Sequence, residues 1–144
     1  MRRVGEKQNA RMNKRKKGTQ KEALAAAYLG RNGVKIVRRN YRVRQGEIDL
    51  IGWEEACEAT RGREKKSRTL VFFEVKYRKS RGKGSALEAV TPAKQRQISR
   101  VSLFFLNQYH ISDKVPIRYD VVAIDGNENG EDITWVKNAF PFMG

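Results

Sequence analysis

Apolar positions recur with two different periods along the chain, and the change of period separates predicted helices from predicted strands. Thr19 followed three residues later by Glu22 forms a capping box before an alanine-rich run, which predicts a first helix over about residues 20–31. A Thr-Pro step followed by apolar residues at spacings of three and four predicts a second helix over about residues 92–108. Both predicted helices are single, ordinary elements of a globular domain.

Segments rich in β-branched and aromatic residues fill the remaining apolar parts of the chain and predict strands. Gly46 interrupts the second of these segments and indicates a bulge or a tight bend there. The predicted order is α-β-β-β-α-β-β, an α/β arrangement without internal repeats or a second domain. The first predicted strand begins at residue 34. The other four cover residues 41–53, 69–77, 117–125 and 133–136.

Two strongly charged segments lie outside these predicted elements. Residues 1–17 carry eight basic residues against one acid and almost nothing apolar, which predicts a flexible basic arm. Residues 54–68 hold four glutamates and five basic residues without a large apolar side chain, which predicts a long, solvated hairpin loop. We therefore expect an arm followed by one domain over residues 18–144.

Positive charge is segregated along the chain. The 144 residues carry 31 Lys and Arg against 16 Asp and Glu, a net charge of +15. Residues 34–45 contribute +5 and residues 76–100 contribute +7, whereas residues 46–75 and 101–144 are net acidic. A surplus of this size and distribution predicts a surface that faces a polyanion, and nucleic acid fits it better than an acidic membrane does. The plainer alternative is a solubility arm on an ordinary charged surface.

Composition also excludes several kinds of site. The single cysteine, Cys57, and the single histidine, His110, rule out an internal disulfide and a metal site built on several Cys or His ligands. A bound metal would need oxygen ligands.

No run approaches the roughly 18 apolar residues of a membrane span, and the basic N-terminus lacks the apolar stretch of a secretory signal. We therefore expect a cytoplasmic protein without a membrane partner.

Two predicted strands each place a carboxylate among apolar neighbours. Side chains alternate between the faces of a strand, so Glu74 and Lys76 share one face. By the same alternation Glu47 and Asp49 share a face, and the apolar residues on either side of Asp49 share the opposite one. Carboxylates brought close together repel, and a cation such as Mg²⁺ or Mn²⁺ between them would relieve the repulsion. An isolated Glu-x-Lys triplet on an edge strand would instead be a solvated pair.

Four motifs extend this pattern: Gly-Glu-Ile-Asp-Leu-Ile at 46–51, Val-Phe-Phe-Glu-Val-Lys-Tyr-Arg at 71–78, Gly-Ser-Ala at 84–86 and Val-Thr-Pro-Ala-Lys at 90–94. Together they resemble the YraN family of bacterial proteins, and the likeness covers about residues 18–140. That family is grouped with the restriction-endonuclease-like superfamily, near archaeal Holliday-junction resolvases. The resemblance implies a restriction-endonuclease-like fold, with a mixed five-stranded sheet flanked by helices.

The resemblance also implies roles for individual residues. Asp49 and Glu74 would be metal ligands, Val75 would lend its backbone carbonyl to the metal, and Glu22 would be the acidic residue of the first helix. Lys76 would be the catalytic lysine of the (D/E)-x-K signature, acting together with Glu74 and Asp49. Glu22 has an equally good explanation as the glutamate of a capping box.

Further residues are expected to support the site or to contact phosphates. Glu47 would be a metal ligand, a partner of Lys76 or a neighbour that holds an arginine, and we favour the supporting roles. Asp120 is expected to pair with an arginine. The residues expected to bind nucleic acid are Arg42, Arg44, Arg78, Lys79, Lys83, Lys94, Gln95 and Gln97.

The chain departs from the family pattern in ways that bear on the substrate. Lys21 stands where similar proteins have glycine and Lys83 where they have an aromatic residue, and both changes add positive charge near the expected substrate path. The predicted loop at 54–68 is longer than the family's short hairpin.

The expected function is that of a Mg²⁺- or Mn²⁺-dependent endonuclease acting on DNA, with branched DNA as one candidate substrate. The alternative is a non-catalytic nucleic-acid-binding protein that keeps the fold, and a third option is a basic protein associated with ribosomes. DNA is favoured over RNA, and the exposed edge of the sheet would allow a homodimer.

Overall fold

The computed structural model describes residues 4–79, 90–127 and 130–144 of the chain, and within these ranges it contains two helices and five strands. None of the helices described there is long and apolar enough to cross a membrane. The helices are α1 (Val4–Arg31) and α2 (Pro92–Gln108); the strands are β1 (Val34–Val43), β2 (Gly46–Thr60), β3 (Arg63–Arg78), β4 (Ile117–Asn127) and β5 (Gly130–Phe140).

The five strands form one mixed sheet in the order β1-β2-β3-β4-β5. Neighbouring strands run antiparallel except β3 and β4, which are parallel and are connected through α2. A parallel pair requires a long crossover connection, and a helix that packs back on the sheet provides it. The predicted element order and the mixed, helix-flanked sheet are confirmed.

Each face of the sheet carries its own apolar core. Leu29 of α1 packs with Leu50 and Phe73 on one face. On the other face, Phe105 of α2 packs against Phe72, with the two rings edge to face. Since β3 contributes large apolar side chains to both cores, it is the buried central strand that its continuous apolar run predicts.

The first helix is much longer than predicted. It begins at Val4 rather than near Gln20, so residues 4–17 continue α1 instead of forming a separate flexible segment. Lysine, arginine, glutamine and methionine dominate this stretch, and their unbranched side chains lose little freedom in a helix. The start of the helix is therefore corrected, while the division between arm and domain at residue 17 stays a prediction.

The loop predicted at 54–68 is wrong, because these residues are paired strands. The register of β2 and β3 runs without interruption from Glu54 opposite Thr69 to the turn at Arg61-Gly62, where both residues have positive φ (55° and 75°). Positive φ at both central residues is what a two-residue hairpin turn needs. Pairing of β1 ends at Glu54 and pairing of β4 at Leu70. Residues 55–68 therefore form a two-stranded ribbon that extends past the neighbouring strands.

The first hairpin also differs from the predicted boundary. β1 continues to Val43 and β2 starts at Gly46, so Tyr41 belongs to the first strand and not to the second. Gly46 has a φ of 148°, a conformation that residues with a Cβ rarely adopt, and it marks the tight bend that the sequence suggested.

Candidate active site

The two strands that carry the predicted carboxylates separate at the site. β2 and β3 pair as far as Leu50 opposite Phe73, and β3 then continues beside β4 alone. Asp49 is the first residue of β2 beyond the last pair. Its Oδ2 accepts a hydrogen bond of 2.8 Å from the backbone N–H of Val75, so the carboxylate replaces a backbone acceptor of the missing strand pair. We call this region, where β2 and β3 diverge, the fork.

The alternation of side chains is broken at Asp49. Ile48 packs in the core beneath α2, whereas Leu50 packs in the core beneath α1, so the expectation that these two residues share a face is wrong. Opposite Asp49 in β1 lies Asn40, which has a positive φ of 51°. A left-handed residue within a strand is typical of a bulge, where the regular alternation of side chains is interrupted.

Glu74 and Lys76 lie together on β3 beside Asp49. Glu74 is only 5% exposed, and one of its oxygens, Oε1, lies 3.7 Å from the Nζ of Lys76. Its other oxygen, Oε2, is buried and has no N–H or hydroxyl donor among the described residues; when Glu74 is protonated, its carboxyl group hydrogen-bonds Asp49. Burial, together with the charge of Asp49, raises the pKa of Glu74 to about 8. Burial also raises the pKa of Asp49.

The residues at the fork fit a small divalent cation. Carboxylate oxygens are hard ligands of the kind Mg²⁺ prefers, and a cation between Asp49 and Glu74 would satisfy the unpartnered Oε2 and remove the repulsion. The Val75 backbone reaches the site through its N–H; the role of its carbonyl stays a prediction. Over residues 4–79, 90–127 and 130–144, no group of three or more His, Cys, Asp or Glu is assembled to hold a metal.

Glu22 lies near the fork without joining the carboxylate pair. Its side chain is half-buried and hydrogen-bonds Asn40, and burial is the main reason its pKa is raised, with smaller contributions from the charges of Asp49 and Glu47. The electrostatic contact places Glu22 close to the site, and its role as a metal ligand stays a prediction.

Glu47 plays one of the supporting roles that the sequence left open. Its Oε2 lies 2.9 Å from the Nε of Arg42, so this carboxylate holds an arginine. Asp120 likewise pairs with Arg118 at 2.8 Å and is fully buried, as predicted. Neither acid adds to the carboxylate pair at the fork.

Several predicted nucleic-acid contacts line an open groove beside the fork. The groove measures about 350 Å³ and is lined by Arg42, Val43, Gly46, Glu47, Lys94 and Gln97. Lys94 lies in the first turn of α2, where Thr91 caps the helix by accepting a hydrogen bond from the Lys94 N–H. The positive charge of Lys94 opposes the rise in the pKa of both Asp49 and Glu74 that burial causes. Lys94 therefore borders both the groove and the carboxylate pair.

Other side chains that were predicted to bind nucleic acid form hydrogen bonds or ion pairs within the protein. Arg78 makes two hydrogen bonds to Asp125, of 2.7 and 2.9 Å, and is mostly buried. Gln95 donates its side-chain N–H to the carbonyl of Val90. Lys21, whose charge we expected near the substrate path, pairs with Glu131. These three side chains make contacts within the protein, and a role for them in binding nucleic acid stays a prediction.

The remaining residues predicted to bind nucleic acid either are exposed or lie outside the residues that the structure describes. Arg44 and Lys79 are exposed. Lys83 and the Gly-Ser-Ala motif at 84–86 lie outside the described residues. Sequence reasoning missed Asn40, which hydrogen-bonds Glu22 and has a positive φ. The one available signal was an asparagine within an apolar, basic strand segment.

Comparison with known proteins places the chain among relatives. The model of "Uncharacterised protein family UPF0102" matches residues 21–124. The chain belongs to the UPF0102 family. YraN is a member of UPF0102, so the resemblance read from the motifs is confirmed.

UPF0102 proteins similar to this chain come from distant bacteria. The UPF0102 protein of Colwellia psychrerythraea is 39% identical over 125 residues, covering 86% of this chain and 88% of the relative. That of Legionella pneumophila strain Corby is 41% identical over 124 residues, covering 86% and 93%. That of Lachnoclostridium phytofermentans is 39% identical over 133 residues, covering 92% and 99%. The matched region includes both strands of the fork and α2.

Proposed function

We propose that this UPF0102 protein is a Mg²⁺- or Mn²⁺-dependent endonuclease that hydrolyses phosphodiester bonds in DNA. One observation carries the proposal: Glu74 is buried beside Asp49, and one of its oxygens has no N–H or hydroxyl donor in the described ranges. An unpartnered carboxylate oxygen next to a second carboxylate is costly in a protein interior unless a cation is bound there. Lys76 adds the positive group that completes a (D/E)-x-K site.

Each residue at the fork has a distinct task in this proposal. Asp49 and Glu74, with the Val75 carbonyl, would hold the cation, and the Val75 N–H fixes the orientation of Asp49. A bound Mg²⁺ or Mn²⁺ supplies positive charge to the phosphate and lowers the pKa of water. Lys76 keeps about a third of its side chain exposed, so its ammonium can donate hydrogen bonds to an attacking water or to a phosphate oxygen.

The substrate class is proposed from charge. A net charge of +15 suits a polyanion, and exposed basic residues such as Arg44 and Lys79 flank the fork in sequence. Contacts of this kind grip the phosphate backbone without reading bases, so binding should weaken steeply with salt. We propose DNA rather than RNA as the substrate, branched DNA as a candidate, a cytoplasmic location, and a homodimer as the assembly to test.

A second candidate function is non-catalytic binding of nucleic acid by the same fold. It is favoured by the lack of a third acidic ligand among the residues that the structure describes. A fold shared with nucleases makes the activity a question about the site and not about the architecture.

Titration of metal separates the two functions. Mn²⁺ and Mg²⁺ are titrated by calorimetry into the wild-type protein and the Asp49→Asn variant, and cleavage of duplex, flap and four-way-junction DNA is assayed in parallel. We expect saturable binding and metal-dependent cuts that the substitution abolishes, because Asn keeps an acceptor for the Val75 N–H but removes the charge. Glu58→Gln is the matched control, since Glu58 is an exposed carboxylate on the ribbon.

Each result assigns one function. If the wild-type protein binds no metal even with DNA present, yet binds DNA tightly and with strong salt dependence, the non-catalytic function is correct. If Asp49→Asn and Glu58→Gln retain equal cleavage, the fork is not the catalytic site.

A further inference from the structure

The groove beside the fork has no task in the proposed metal site. It runs between the β1–β2 turn and the start of α2 and is open to solvent, with a volume of about 350 Å³. Two cations, Arg42 and Lys94, face it against a single acid, Glu47. The groove is therefore positively charged immediately beside a pair of carboxylates.

The arginine in this groove is held in place. The Nε of Arg42 lies 2.9 Å from the Oε2 of Glu47 in an ion pair, while the Arg42 side chain as a whole stays highly exposed. A guanidinium carries five N–H donors, more than a single carboxylate takes up. An exposed guanidinium is well suited to a phosphate, because two parallel N–H groups match two phosphate oxygens.

The floor of the groove is shaped by a close contact. A Cβ placed on Gly46 would lie 2.5 Å from the side chain of Gln97, so the absence of a side chain at Gly46 lets Gln97 lie flat on the β1–β2 turn. The glycine thus allows close contact between the β1–β2 turn and α2. That closeness places Lys94 between the groove and the carboxylates.

We propose that this groove, lined by Arg42, Lys94 and Gln97, binds the backbone phosphate next to the one that is cleaved. The proposal rests on the proposed function and deepens it. A nucleic-acid strand carries a phosphate at every nucleotide. When one phosphate of a strand lies at the fork, the adjacent phosphate lies near the positively charged groove. The groove therefore favours a strand that continues on that side of the cut.

Binding tests the groove without requiring cleavage. A fluorescein-labelled 12-nucleotide single strand of DNA is titrated with protein in Ca²⁺ at several salt concentrations, and fluorescence anisotropy gives the affinity. We expect Arg42→Gln to weaken binding about tenfold and to lower the salt slope by about 0.7, the value of one lost phosphate contact on a single strand. Arg39→Gln is the matched control, because Arg39 is an equally exposed arginine of β1 that does not line the groove.

Cleavage tests the position of the phosphate. Single uncharged methylphosphonate linkages are placed one at a time around the mapped cut. We expect the wild-type rate to fall about tenfold when the neutral linkage is next to the cut on one side only. Arg42→Gln should show no further fall with the same substrate, whereas Arg39→Gln should still show it.

The outcomes separate this proposal from the proposed function. If Arg42→Gln and Arg39→Gln lose the same affinity and slope, only bulk charge matters and the groove is not a phosphate site. If Arg42→Gln remains fully sensitive to the neutral linkage, the neighbouring phosphate binds elsewhere. If neither the wild-type protein nor any variant cleaves DNA but Arg42→Gln alone loses the contact, the groove is a phosphate site of a binding protein and the nuclease proposal fails. Circular dichroism melts of each variant identify a loss of folding.

Discussion

Charged residues lie at both ends of the β2–β3 pair, but they are exposed at one end and partly buried at the other. At the ribbon end, Glu55 lies opposite Arg68 and Glu58 opposite Lys65, and all four side chains are exposed. At the fork, Glu74 is buried and lacks a partner for one oxygen within the described chain. The same two strands thus form a solvated ribbon at one end and a strained carboxylate pair at the other.

The difference shows what backbone pairing does to charge. Along the ribbon every residue of one strand has a partner opposite it on the other strand. The charged side chains cost little free energy there because water solvates them. At the fork the pairing stops, a carboxylate completes the backbone hydrogen bonds of Val75, and its neighbour is buried with it. A function that needs unsatisfied charge is therefore expected at the fork and not on the ribbon.

The largest expected effect compares a lysine from each end. Lys76→Met should lower the rate of DNA cleavage by about 10²- to 10³-fold, because the group that orients the water or the phosphate is lost. Metal affinity measured by calorimetry should not fall, since removing the ammonium removes a charge that repels the cation. Lys65→Met on the ribbon should leave both quantities unchanged. A parallel loss of metal binding and rate in Lys76→Met would make Lys76 structural.

The second prediction concerns pH and stability without divalent metal. The folded-state pKa of Glu74 is raised to about 8 from an ordinary value of 4.5, so the folded protein retains this proton in a range where the unfolded chain has lost it. Stability from this group is complete below about pH 4.5 and is lost as the pH rises through about 8. Glu74→Gln avoids that loss.

We therefore expect Glu74→Gln to match the wild type near pH 4.5 and to exceed it by a few kcal/mol near pH 9. Urea unfolding in a chelating buffer at both pH values measures the difference. Glu58→Gln is again the control, because an exposed glutamate should give no such gain. A stability difference that does not change with pH would contradict the burial of an ionisable Glu74.

A third prediction removes the ribbon. Replacing residues 55–68 with an Asn-Gly turn between Glu54 and Thr69 should change the free energy of unfolding by no more than about 1 kcal/mol, because an isolated two-stranded hairpin is only marginally stable. Metal affinity should be unchanged. Denaturant unfolding and calorimetry measure both, and loss of metal binding would show that the ribbon supports the fork.

The smallest expected effect uses Cys57, the single cysteine of the chain, which lies exposed on the ribbon. It should react with a maleimide in the native protein, because an exposed thiol is accessible. The adduct should leave metal affinity within about twofold, since the label lies on the strand end remote from the fork. A thiol that reacts only in denaturant would contradict the exposure of this strand.

Much of the fold could be predicted because local signals agreed with it. The Thr91 cap and the apolar spacing that follows locate α2 at Pro92–Gln108, as the structure has it. The Glu-x-Lys alternation correctly places Glu74 beside Lys76, and the motif upstream supplies Asp49. These patterns depend on residues close together in the chain, where geometry follows directly from helix or strand periodicity.

Other features depend on contacts between distant segments and could not be read locally. The charged residues of the ribbon resemble a loop until each is matched with its cross-strand partner. The ion pair of Arg78 with Asp125 could not be predicted locally, because the parallel pairing of β3 with β4 brings these two residues together.

The sequence by itself determined the order of the elements, the apolar faces of the helices, the surplus of positive charge and the residue types of the candidate site. Only the tertiary structure decided which charges are buried, which are paired and where two strands separate. The reason is physical: periodicity is a property of one segment, whereas burial and the loss of a strand partner are set by neighbours. Asp49 becomes a candidate ligand because β2 leaves β3 at that residue.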